Sequence, residues 1–121
     1  MPVRSLTSPV RKWPDAAAVI QALQQWVKKL MNTRPEVVRI GYFGSYARGD
    51  WGVGSDLDLI IIISRSDQPF ETRPGEFDTL SLPVPTDLLV YTQEEWQTLG
   101  QQRSFFQTLD QETIWVDSED R

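Results

Sequence analysis

The 121-residue sequence contains no cysteine and no histidine. Disulfides, thiolate metal sites, cysteine nucleophiles and the imidazole base of Ser-His-Asp chemistry are thereby excluded. Any reaction must run on carboxylates, hydroxyls, lysine, arginine and backbone groups. Long hydrophobic runs are absent too. None exceeds Leu59 to Ile63, far short of a bilayer span, and the amino terminus lacks the continuous apolar segment of a signal peptide. The expectation is a cytoplasmic protein with no membrane association.

Basic residues are scarce where they would matter for nucleic acid. Residues 50–121 hold four Lys/Arg against fifteen Asp/Glu, whereas residues 1–49 hold eight against two, for a net charge of −5. Neutralising phosphates supplies most of the affinity for DNA or RNA, so this balance argues against a nucleic-acid partner and suits a nucleotide or a protein. Most of the acids read as a solvated surface. The length admits one core, which predicts a single domain over 1–121, with an extended lead-in at 1–12, a charged tail at 117–121 and no room for a separate substrate domain.

Between those ends the patterns are regular. Val19, Leu23, Trp26, Val27 and Leu30 recur at helical spacing behind Asp15, predicting an amphipathic helix that ends before Pro35. Glu36 to Phe43 is β-branched and aromatic and reads as a strand, broken by a turn at Gly44-Ser45. Leu57 to Ile63 is apolar at nearly every position, as a strand covered on both faces should be. Residues 64–78 read as a loop, either mobile or covering a site.

Thr86 to Tyr91 reads as a further strand. Thr92-Gln93-Glu94-Glu95 then has the capping spacing that opens a helix, with Trp96 and Leu99 inward and an interruption at Gly100. Ser104-Phe105-Phe106-Gln107 repeats the capping spacing for a second short helix, and Thr113 to Val116 closes as a last strand. The order helix, strand, strand, strand, helix, strand predicts an α/β (α+β) domain with a small sheet flanked by helices.

The chemistry concentrates in Gly44-Ser45-Tyr46-Ala47-Arg48-Gly49 and, after a short spacer, Ser55-Asp56-Leu57-Asp58-Leu59. Alternate side chains on a strand share a face, so Asp56 and Asp58 point the same way at the mouth of a buried strand. Two partly desolvated like charges there need something positive between them, and Mg²⁺ with its preference for hard oxygen ligands is the simplest answer. Asp87, on the later strand, can bring a third carboxylate alongside if the two strands are neighbours. Three carboxylates can hold two metals roughly 3.5–4 Å apart, which is equipment for phosphoryl or nucleotidyl transfer. Taken alone, each of these residues also fits a solvent-facing strand start.

Gly44 lets backbone amides approach an anion and Ser45 adds a hydroxyl. Arg48 either meets a triphosphate as a charged fork or pairs with Asp50 at the surface. Tyr42, Tyr46 and Trp51 read as packing or loop-rim residues rather than base-stacking groups.

With Gly44-Ser45, Asp56-x-Asp58 and the later Asp87, the sequence resembles the minimal nucleotidyltransferase family of the DNA polymerase beta superfamily, from about Val37 to Val116. That resemblance implies a nucleotidyltransferase-like fold with a mixed sheet. It further implies a nucleoside triphosphate held by Gly44 and Ser45, with Arg48 and Ser55 alongside, and two Mg²⁺ ions on Asp56, Asp58 and Asp87. Asp87 would also help deprotonate the acceptor. Small stand-alone members are often antitoxins that silence a HEPN-domain ribonuclease toxin by transferring AMP from ATP to a toxin tyrosine, the type VII-like arrangement. Two other readings stand beside it: nucleotidylation of a small molecule such as an aminoglycoside, and a catalytically idle antitoxin acting by contact. The sequence leaves open whether the protein forms a homo- or hetero-oligomer.

Overall fold

The computed structural model describes residues 14–102 and 109–116. The expected lead-in, the Ser104–Gln107 capping motif and the charged tail lie outside those residues. Helix α1 (Ala16–Thr33) opens where the sequence places it, because the Asp15 carboxylate accepts from the Ala18 amide at 2.8 Å. It buries Val19, Leu23 and Val27 and stops at Arg34, just before the Pro35 that cannot continue a helix.

Strands β1 (Val37–Phe43), β2 (Leu57–Ile63), β3 (Thr86–Thr92) and β4 (Ile114–Trp115) form one mixed sheet in the order β3-β2-β1-β4. β2 runs antiparallel to β1 and parallel to β3, while β4 runs antiparallel to β1. Interior position explains the composition of β2. Leu59, Ile61 and Ile63 pack with α1 on one face, and Ile60 and Ile62 join Tyr91, Leu109, Leu89, Trp96 and Leu99 on the other. Burying the six apolar side chains of this one short strand in this way contributes heavily to the stability of a domain of this size.

Helix α3 (Gln93–Gln102) covers the second face, and its capping box closes in both directions. The Glu95 amide donates to the Thr92 hydroxyl at 3.1 Å, and the Glu95 carboxylate accepts from the Thr92 amide at 2.9 Å.

Three local expectations are corrected. The helix runs through Gly100 without interruption, since glycine weakens a helix interior by only about 1 kcal/mol and neighbouring Trp96 and Leu99 are packed against the sheet. The turn at Gly44-Ser45 continues into a single helical turn, α2 (Ser45–Arg48). The stretch 64–78 contains a 3₁₀ helix over Phe70–Glu76 and does not cover the site described below. Arg73 inside it is buried and donates to the Val90 and Gln68 carbonyls, both at 3.0 Å, and to the Glu95 carboxylate at 2.7 and 3.0 Å. Those bonds tie the segment to the far end of β3. Among the described residues no helix is long and apolar enough to cross a membrane.

Candidate active site

The start of β2 is flanked by the end of β1 and the start of β3, so three segments distant in sequence converge at one end of the sheet. Asp58 sits opposite Phe43 on β1 and opposite Asp87 on β3. Register partners on adjacent strands lie about 4.8 Å apart and project to the same face. Asp56 precedes Asp58 by two residues and keeps the same parity, which is also that of Ile60 and Ile62. All three carboxylates therefore belong to the face covered by α3 and Leu109.

Asp58 is half-buried, whereas Asp56 and Asp87 are exposed. Burial raises the Asp58 pKa above the ordinary carboxylate value, and the negative charges of Asp87, Asp56 and Glu112 raise it further, with Arg48 acting in the opposite direction. The carboxylate at the centre of the cluster is thus the one most in need of a cation.

Gly44 explains why a glycine and an aspartate belong together in the motif. Its backbone is left-handed, with φ +77°, and an added Cβ would run into the Asp58 carboxylate. Any other residue would be strained in conformation and would displace the central carboxylate. Phe43, Gly44, Ser45, Arg48, Asp56, Asp58, Leu109 and Glu112 line one cleft of about 490 Å³, inside the roughly 300–1,000 Å³ range of small-molecule sites.

Of the residues singled out in the sequence, Gly44, Ser45, Arg48, Asp56 and Asp58 face this cleft together, and Asp87 adjoins it through its register with Asp58. Ser55 is placed differently. Its hydroxyl accepts from the Gly52 amide at 2.8 Å and its amide donates to the Gly52 carbonyl at 2.9 Å, so it closes the turn that leads into Asp56. Arg48 lines the cleft and also pairs with Asp50 at 3.2 Å. Tyr46 and Trp51 stack at 5.9 Å, and Tyr42 and Tyr46 are buried in the α1-side core, which makes all three packing residues.

Glu112 was not visible from the sequence. It ends a helical turn over 109–112, and its carboxylate accepts from the Gly44 amide at 2.9 Å and pairs with Arg48 at 3.4 Å. No spacing or motif connects residues 112 and 44, and only the pairing of β4 with β1 brings them together.

The donor set suits a hard divalent cation: oxygen ligands only, gathered around a carboxylate already destabilised by like charge. Among the described residues no group of three acidic side chains stands close enough together to hold a metal ion. Asp58 and Asp87 are the nearest pair by register, and Asp56 would complete the set.

The fold is similar to that of a Sulfolobus solfataricus protein of known crystal structure, provisionally described as a nucleotidyltransferase. The TM-score is 0.60 at 17% sequence identity, over 89% of this chain and 92% of that one. At this identity the likeness speaks for the fold. No curated protein matches significantly. The family model of the nucleotidyltransferase domain matches residues 24–110, from the middle of α1 through Gly44-Ser45, Asp56, Asp58 and Asp87, and ends just before Glu112. With most of its length matched, and with the site's convergent segments inside the match, the chain belongs to the nucleotidyltransferase domain family.

Proposed function

We propose that the protein is a Mg²⁺-dependent adenylyltransferase that moves AMP from ATP onto a tyrosine hydroxyl of a HEPN-domain toxin, acting as the antitoxin of a type VII-like pair. The observation that carries this reading is the meeting of Asp56 and Asp58 with Gly44, Ser45 and Arg48 in the lining of one cleft, with Asp87 beside Asp58 on the neighbouring strand. Carboxylates for a cation and donors for phosphate lie side by side, which is the pairing that nucleotidyl transfer requires.

The chain's own groups have separable tasks. Gly44, Ser45 and Arg48 bind and orient the phosphates. Asp56 and Asp58 hold Mg²⁺, which supplies neutralisation of the charge developing on the phosphate oxygens. Asp87, exposed at the rim, takes the proton of the acceptor hydroxyl. The tyrosine oxygen then bonds to the α-phosphorus, the bond from that phosphorus to the bridging oxygen breaks, and pyrophosphate leaves. The products are a tyrosyl-AMP ester and pyrophosphate.

The test is incubation with Mg²⁺, labelled ATP and the co-encoded partner, read by intact mass, with Asp56→Asn/Asp58→Asn as control. The expected result is a gain of one AMP on the partner, slowed by about a hundred- to a thousandfold in the control while its circular dichroism is unchanged. Modification of an aminoglycoside instead would reassign the acceptor. Silencing of the partner by the double variant would reduce the protein to an antitoxin acting by contact.

A further inference from the structure

The Gly44 amide and the Arg48 guanidinium are hydrogen-bond donors at the cleft, and in this structure the Glu112 carboxylate of the protein itself accepts from both. We infer that Glu112 is a built-in competitor for the phosphate cradle, which a bound triphosphate must displace. The inference rests on the assignment of that cradle to phosphate given above.

The placement of Glu112 is fixed from both sides. Thr113 is buried and donates twice to the Leu109 carbonyl, from its amide at 3.0 Å and its hydroxyl at 2.7 Å. Leu109 is buried beneath the α3 face with Ile60 and Ile62. Immediately beyond, β4 pairs with β1 at Gly41 and Tyr42, and a Cβ at Gly41 would collide with Thr113 and Trp115. The backbone of Glu112 is thereby pinned within reach of Gly44.

Its side chain is not pinned. It is 27% exposed, and its only bonds among the described residues are those to Gly44 and Arg48. It can therefore rotate into solvent at the cost of those two contacts.

A phosphate oxygen needs the same donors with the same charge, and Glu112 and a triphosphate cannot share them, because two anions on one amide repel. Single anions such as inorganic phosphate bring too few contacts to displace the carboxylate. A triphosphate that also engages Ser45 and the acidic triad through its cation brings more. The device thus raises the threshold for occupation and favours a metal-bound polyphosphate over lone anions. Glu112 lies two residues beyond the end of the stretch matched by the family model, while Gly44 and Arg48 lie inside it.

The experiment is calorimetric titration of the full chain with ATP and with inorganic tripolyphosphate, both in Mg²⁺, for the wild type, Glu112→Gln, Arg48→Ala and the double variant. Glutamine keeps the shape and an acceptor for the Gly44 amide while removing the charge. The expected result is about tenfold tighter binding of both ligands by Glu112→Gln, with the gain shrinking in the Arg48→Ala background because part of the competition is for that guanidinium.

A purely structural role would lower the melting temperature of Glu112→Gln without tightening either ligand. Equal or weaker binding of ATP by Glu112→Gln overturns the inference and leaves the adenylyltransferase reading standing. A gain undiminished by Arg48→Ala overturns the competition as drawn. Failure of every protein to bind either ligand overturns both.

Discussion

The two ends of β3 treat charge in opposite ways. At the Thr92 end, Arg73 is buried beside Glu95, and its guanidinium is bonded to that carboxylate and to the Val90 and Gln68 carbonyls. At the Asp87 end, three carboxylates gather beside Glu112 with Arg48 as the cation of the cleft lining. One end is electrostatically complete and holds the 3₁₀ helix, β3 and α3 together. The other is left incomplete, with its central carboxylate destabilised by burial and like charge. Local rules of charge pairing are kept at one end and broken at the other, which is the pattern expected where one end serves structure and the other a site.

The largest effect should come from breaking the satisfied end. Arg73→Ala removes four hydrogen bonds and leaves the Val90 carbonyl without that partner, and it is expected to cost about 2–3 kcal/mol in urea denaturation. The lower part of the range for broken buried pairs applies because the Glu95 side chain is 39% exposed. A loss below the error of the measurement would remove the contrast between the two ends.

The two ends should also respond to pH with opposite sign. The hydrogen bonds from Arg73 hold Glu95 below its ordinary pKa, so its contribution is full above the unfolded carboxylate range and is lost as pH falls through the depressed value. Asp58 is held above its ordinary pKa, so it opposes folding at neutral pH, and that opposition fades as pH falls through the raised value. Glu95→Gln should therefore lower stability near pH 7 by about 1 kcal/mol, with the loss shrinking in acid. Asp58→Asn should melt above the wild type near pH 7, with the gain shrinking in acid, and Mg²⁺ should narrow the gap by stabilising only the wild type. Melting curves across pH, with and without Mg²⁺, check both. The same sign for the two variants would mean that the site is not electrostatically frustrated.

The smallest effect belongs to neither end. Gly100 is helical in α3, has no positive φ, and a Cβ there would meet nothing within 4 Å. Gly100→Ala is expected to stabilise the protein by about 0.5–1 kcal/mol in the same denaturation assay, with nucleotide binding unchanged. A loss would show that Gly100 serves α3 in some way other than through open space around its Cα.

What the sequence determined by itself was whatever depends on neighbours in the chain. Leu57 to Ile63 could only be an interior strand, Asp15 and the Thr92–Glu95 box marked their helix starts, and Asp56 and Asp58 had to share a face because the strand period is two. Gly44-Ser45 and the aspartates were legible as a set through their spacing. Local strength misled at Gly100, where helix packing outweighs a modest propensity cost, and at 64–78, where a proline- and glycine-bearing stretch is organised by one buried arginine.

The tertiary structure alone decided the rest. The registry of Asp58 with Asp87 depends on which strands are neighbours. The Arg73–Glu95 pair joins residues 22 apart, and the bond from Gly44 to Glu112 joins residues 68 apart. Contacts at such separations leave no periodicity to read, because a single side chain reaching across the fold is fixed by how layers pack and not by any pattern along the chain.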